Sequence, residues 1–172
     1  MGHDRKHPDS VMLKLREKLL SVSDDYWIED EHGDRRFRVD GKLMSVGKKA
    51  VIEDPHGREV FTAHHKPVHL HRTFAITRGD EEVATVKEAF SIGHHTYHVE
   101  RNNGHEYKLK GSIASHKFEV ERDGDEVAHA THKWMTVRDT MALEVFNADD
   151  VAFVVAMVVA VDMAERFGQG DH

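Results

Sequence analysis

The chain has 172 residues, of which 39% are apolar and 32% charged, with no cysteine and a formal charge of −7. That length fits one domain with a substantial core. The missing cysteines exclude a disulfide framework and a thiol nucleophile, and the acidity speaks against a general nucleic-acid binder. Sixteen histidines are the unusual item of composition, since protonating all of them carries the formal charge from −7 to +9. A change in solubility or oligomeric state between about pH 5 and 7 is therefore expected.

The chain begins MGHDRKHPDS, without an apolar h-region. No signal peptide is expected, and cytoplasm is the default compartment. Residues 1–20 carry five bases against three acids, a basic arm whose plain reading is a solvated terminus. Leu13 and Leu15 alternate like a strand while Leu15 and Leu19 fit a helix. The strand reading is taken, beginning near Met12, with residues 1–11 expected to be flexible.

A repeat then organises the chain. Lys18-Leu-Leu-Ser-Val22 and Ile28-Glu-Asp-Glu-His-Gly33 recur 24 residues later, and nine of the sixteen aligned positions are identical. Each of six units carries a bulky-x-aliphatic pair: Tyr26/Ile28, Ala50/Ile52, Phe74/Ile76, Tyr97/Val99, Phe118/Val120 and Met141/Leu143. This spacing of two is the period of a half-buried strand, with the pair facing the core. Glutamate follows in five units, as Glu29, Glu53, Glu100, Glu121 and Glu144, and is expected to face solvent.

A glycine-bearing turn follows each of the first five pairs, at Gly33, Gly57, Gly79, Gly104 and Gly124. Asn103-Gly104 and Asp123-Gly124 are strong hairpin signals, because both residues tolerate positive φ. The return strands present a second face of mostly small residues, Phe61/Ala63, Ala84/Val86 and Ala128/Ala130, which suits close approach to a central object. Six units of two strands predict twelve antiparallel strands.

The sixth unit has no turn, and Asn147-Ala-Asp-Asp150 runs directly into Val151–Val161, eleven apolar residues without a break. Acids before this run, Arg166 near its end and Gly168 after it punctuate a helix over about 149–167. Eleven residues span ~16 Å, about half of the ~30 Å a bilayer core requires, so no transmembrane segment is expected. A helix apolar all round must be buried all round. An eight-stranded barrel is filled by its own side chains, whereas twelve strands enclose room for a helix ~10–12 Å across. The predicted fold is a closed twelve-stranded antiparallel barrel around its C-terminal helix, a single domain over residues 12–167, with 168–172 as a flexible tail.

The segments DDYWIEDEHG, VDGK, VIEDPHGRE, ERDGDEVA, KWMTVRDT and VVAMVVAVDM strongly resemble the LURP-one-related family. That family shares its fold with tubby C-terminal domains and phospholipid scramblases, so the resemblance implies the same helix-threaded barrel over roughly Met12 to Phe167. It supplies no catalytic residues. Tubby domains bind phosphoinositides through basic residues outside the barrel, and no motif here matches that site residue by residue. Lys48, Lys49 and Arg35-Arg36 are lipid-binding candidates by charge alone.

His64, His65, His69 and His71 lie within eight residues, and His94, His95 and His98 within five. On a strand His69 and His71 share a face and could reach one metal. A zinc site wants three or four ligands, however, and no H-E-x-x-H spacing is present. Surface histidines are the simpler reading, and no cofactor is expected. There is no G-x-S-x-G; the serines at 21, 45 and 91 recur at one repeat position and read as architectural, as do the glutamates and the wall tryptophans Trp27 and Trp134. The sequence thus points to a non-enzymatic binding or scaffold protein with a protein partner or, as the alternative, an anionic lipid headgroup. A histidine-dependent metal protein or enzyme stands last.

Overall fold

The computed structural model describes residues 7–16, 25–40, 49–66, 73–91, 94–131 and 140–168. Twelve strands are formed: β1 (Val11–Arg16), β2 (Tyr26–Asp30), β3 (Arg35–Asp40), β4 (Lys49–Glu53), β5 (Glu59–Lys66), β6 (Thr73–Arg78), β7 (Glu81–Ser91), β8 (His94–Arg101), β9 (Glu106–Ser112), β10 (Lys117–Arg122), β11 (Asp125–Thr131) and β12 (Thr140–Val145). They close into one antiparallel barrel in which each strand pairs with its neighbours in the chain and β1 pairs with both β2 and β12. The sixth unit lacks a return strand of its own, and β1 supplies it, from Val11 opposite Val145 to Arg16 opposite Thr140. Closure leaves no free sheet edge.

The inward pairs behave as the alternation requires. Ile28, Ala50, Ile52, Phe74, Ile76, Tyr97, Val99, Phe118, Val120, Met141 and Leu143 are all buried in one apolar core. All five turn glycines have positive φ. At the β2–β3 turn the Gly33 N–H donates to the Asp30 carbonyl at 3.1 Å and the Asp30 N–H to the Asp34 carbonyl at 2.9 Å. This is a three-residue hairpin whose last loop position is left-handed, where glycine costs least. The fifth turn differs: Asp123 (φ 50°) and Gly124 (φ 91°) are both left-handed, the two-residue form that suits Asp-Gly.

A short 3₁₀ turn, Ala148–Asp150, leads from β12 into α1 (Val151–Gly168). Extended Asn147 caps it, its Oδ1 accepting the Asp149 N–H at 3.0 Å. From Val151 to Ala164 every residue except Ala152 is buried. The helix lies closest to β5 and β6, then β4 and β7, the wall whose inward positions include Ala50, Ala63 and Ala84. The small second face therefore sets where the helix leans.

One expectation fails. Glu29, Glu53 and Glu121 are half-buried and Glu100 exposed, but Glu144 is 3% exposed. It points away from the core as the alternation demands, yet the outer face of the β1–β12–β11 corner is covered, with Met12 beside it at 3%. Residues 7–10 contribute to that corner: the Ser10 N–H donates to the His7 carbonyl at 3.2 Å and Ser10 is buried.

Near the far end of the helix, Asp162 is 4% exposed, with Arg166 Nε 3.1 Å from its Oδ2. Burial pushes this carboxyl up to about 7, Arg166 opposing and Glu165 reinforcing the shift. The folded state thus holds a proton that the unfolded chain, near 3.8, releases, so this group's contribution to stability falls as pH rises from about 4 to about 7. Asp162→Asn is expected to flatten that part of the stability–pH curve and to raise the melting temperature above pH 7, as read by thermal denaturation across pH. Val158 is 1% exposed at the barrel centre. Val158→Asp is expected to cost several kcal/mol in a denaturant titration, because the charge has no partner there.

Candidate functional site

The sequence-derived candidates do not converge. Lys49 is exposed on β4, opposite His64, in a cleft of about 560 Å3 that it shares with the carboxylates Glu59 and Asp80. Lys48, His69, His71 and Trp134 lie outside the described residues. Arg36 pairs with Asp30 at 3.6 Å and Arg35 stacks 4.7 Å over Trp27, which places that tryptophan on the outer wall. Arg38, next along the wall, bonds Glu53 at 2.9 Å and also Asp25. These cations are neutralised or stacked rather than gathered into a basic patch. Among the described residues no three His, Asp or Glu side chains are grouped to hold a metal ion.

A broader surface lies over β8–β11. Register aligns Thr96, Lys110, Glu119, His129, Glu144 and Met12 as one outward row across six strands. Beside its first four members runs a groove of about 890 Å3, lined among others by His95, Lys110, Lys117, Glu119, Glu126 and His129. Its charges alternate in sign, and Lys110 is tied to Glu121 at 2.8 Å. Such a surface suits a polar partner of mixed charge.

The end of the groove is fixed by the β9–β10 loop. Gly111 has φ +114°, and a Cβ there would lie 2.2 Å from the Lys117 carbonyl oxygen, so no other residue fits without moving the backbone. The loop is latched to the helix. Glu165 accepts the Ile113 N–H at 3.0 Å and the Ala114 N–H at 3.1 Å, with the Ser112 hydroxyl at 3.4 Å. The carboxylate thus satisfies two loop donors and ties α1 to the groove.

At the other side of the groove, His129 sits between two carboxylates. Its Nδ1 lies 2.8 Å from Glu126 Oε1 and its Nε2 3.2 Å from Glu144 Oε2. Carboxylates only accept, and neutral imidazole has one N–H, so both contacts are hydrogen bonds together only when the ring carries two protons. Phe146 meets the His129 ring edge-on at 5.4 Å, and the His7 ring lies 4.2 Å from Phe146. Each ring nitrogen of His129 thus faces a carboxylate. Structurally the cluster is a brace joining β11, β12 and the segment before β1.

Sequence reasoning missed both features. Glu126 and His129 are three apart, a visible local signal, but Glu144 was hidden among outward glutamates. Glu165 reaches residues more than fifty positions away. Removing the latch is expected to cost about 1–2 kcal/mol, two backbone donors losing a charged acceptor at a partly exposed site. For Glu165→Ala, hydrogen exchange should accelerate selectively at the Ile113 and Ala114 amides.

Comparison with known proteins places this architecture. No curated protein matches the chain. The fold is similar to that of a protein from Arabidopsis thaliana solved by X-ray diffraction, with a TM-score of 0.67 and 18% identity, covering 92% of this chain and 93% of that one. At that identity the likeness concerns the fold alone. The family model described as LURP-one-related matches residues 11–162. That span runs from the first residue of β1 to Asp162 in α1, taking in every strand and most of the helix, and the chain belongs to the LURP-one-related family.

Proposed function

We propose that this protein is a non-enzymatic cytoplasmic scaffold that binds a protein partner through the groove over β8–β11. The observation that carries the reading is the filled interior. Lipocalin-type barrels hold a small ligand inside, and here α1 takes that space with thirteen buried residues between Val151 and Ala164. Binding then falls to the outer wall, where the groove combines mixed charge with a loop held rigid by Gly111 and Glu165. A rigid surface loses less conformational entropy on association.

An anionic-headgroup role has Lys49 as its candidate among the described residues, and Glu59, Asp80 and the net charge of −7 oppose it. That reading stands second. No helix among the described residues is long and apolar enough to cross a membrane.

The test is comparative affinity capture with the full chain. Lys117→Glu combined with Thr96→Arg alters the groove, and Lys87→Glu alters the wall at β7. The expected result is a partner retained by the β7 variant and lost by the groove variant. Equal retention by both would rule the groove out. Retention only on vesicles containing anionic lipid would favour the headgroup reading.

A further inference from the structure

The repeat places one further set of side chains at the barrel end where the hairpin turns lie. Two positions beyond the inward aliphatic residue, units one to five carry Asp30, Asp54, Arg78, Arg101 and Arg122. Three of these are already engaged. Asp30 accepts the N–H groups of His32 and Asp34, Asp54 those of His56 and Arg58, and Arg122 bonds Asp150 Oδ1 at 2.7 Å. Arg78 and Arg101 have no carboxylate partner among the described residues.

Both guanidinium groups nevertheless lie over aromatic rings. Arg101 Cζ lies 4.1 Å from the centre of the Phe153 ring and Arg78 Cζ 4.8 Å from that of Phe61. The two rings meet edge-to-face at 5.8 Å, and the Tyr107 ring joins Phe153 at 5.0 Å. Arg101 Nη1 also donates to the Tyr107 hydroxyl at 3.4 Å. Phe61, Phe153 and Tyr107 are buried. Two cations therefore lie on one apolar floor, two strands apart, roughly 10 Å across the sheet. On β7, between those two strands, Ala84 stands opposite Arg101 and Ile76, while Glu81, which accepts the Asn102 Nδ2–H at 3.0 Å, stands opposite Arg78.

A guanidinium over a ring still offers N–H donors; Arg101 gives one to the Tyr107 hydroxyl, and the remaining donors of the pair match a tetrahedral oxyanion. The low-dielectric floor strengthens attraction to an anion. We propose that Arg78 and Arg101 form a binding site for a phosphate-monoester or diphosphate group, supplied by a soluble phosphorylated ligand or by a lipid headgroup. From the first turn of α1 the site takes the Phe153 ring as its floor, while Asp150 just before it is already bonded to Arg122. The site is separate from the groove, and either can fail alone.

The probe is inorganic pyrophosphate, titrated calorimetrically into the full chain at low ionic strength. Saturable binding is expected, weakened about tenfold or more in Arg78→Gln and in Arg101→Gln. Arg35→Gln, which removes another stacked guanidinium on the outer wall, should leave it unchanged. No binding by the wild type, unaltered binding in both variants, or an equal loss in Arg35→Gln overturns the proposal. Should Arg101→Gln fail to melt cooperatively, the more exposed Arg78 carries the test. Phosphatidylcholine vesicles containing phosphatidic acid separate the two sources. Capture that pyrophosphate displaces and that both variants lose assigns the headgroup, whereas pyrophosphate binding without capture assigns a soluble ligand. Capture that survives both substitutions overturns the lipid source.

Discussion

The burial of α1 on every side is the constraint from which the rest of this molecule follows. A helix whose Val154, Val155, Val158, Val159 and Val161 leave no polar stripe cannot rest on a sheet or lie at a surface. Each such valine contributes about 1.5–3 kcal/mol only when fully removed from water. The barrel does this completely, and the requirement dictates strand number, closure and the small inward residues at Ala50, Ala63 and Ala84. Closure in turn explains the use of β1. The sixth unit spends its chain on the helix, so the ring is completed by the strand that begins the domain.

Filling the interior also redistributes the polar chemistry. Polar groups that engage the helix do so at its ends: Asn147 and Asp150 with Arg122 at one, Asp162, Glu165 and Arg166 at the other. The Glu165 latch passes the position of the helix on to the β9–β10 loop. The guanidinium groups of Arg78 and Arg101 cover the aromatic rings at the opposite end. The two ends are thus unlike, one latched by a carboxylate and one covered by cations, on a wall whose repeats look alike in sequence.

Local periodicity made the fold legible. Alternation at Ile52, Ile76 and Val99, turns at Gly33 and Gly57, and the unbroken run from Val151 each report on structure within a few residues. The site was much less legible, because its contacts join residues distant in sequence. Glu144 occupies the same repeat position as the exposed Glu100, yet it is buried because the β1–β12–β11 corner is covered and His129 faces it. Nothing within the sixth unit records that difference. Arg78 and Arg101 were overlooked for a related reason. The repeat marks their position, but Phe153, which brings them onto one floor, comes from the helix. The candidates chosen by charge and composition failed to converge because charge alone does not show which carboxylate stands nearby, as Glu59 and Asp80 do beside Lys49.

The central claim is that the strands hold their closed form because the helix fills them. It is tested most directly by ending the chain after Asn147 and following unfolding by circular dichroism and chemical denaturation. The account expects no cooperative transition, since thirteen buried helical residues would be replaced by a void no barrel of this width can fill from its own wall. A truncated chain that still unfolds cooperatively with native strand content would contradict it, and the interior would again be a place for a ligand.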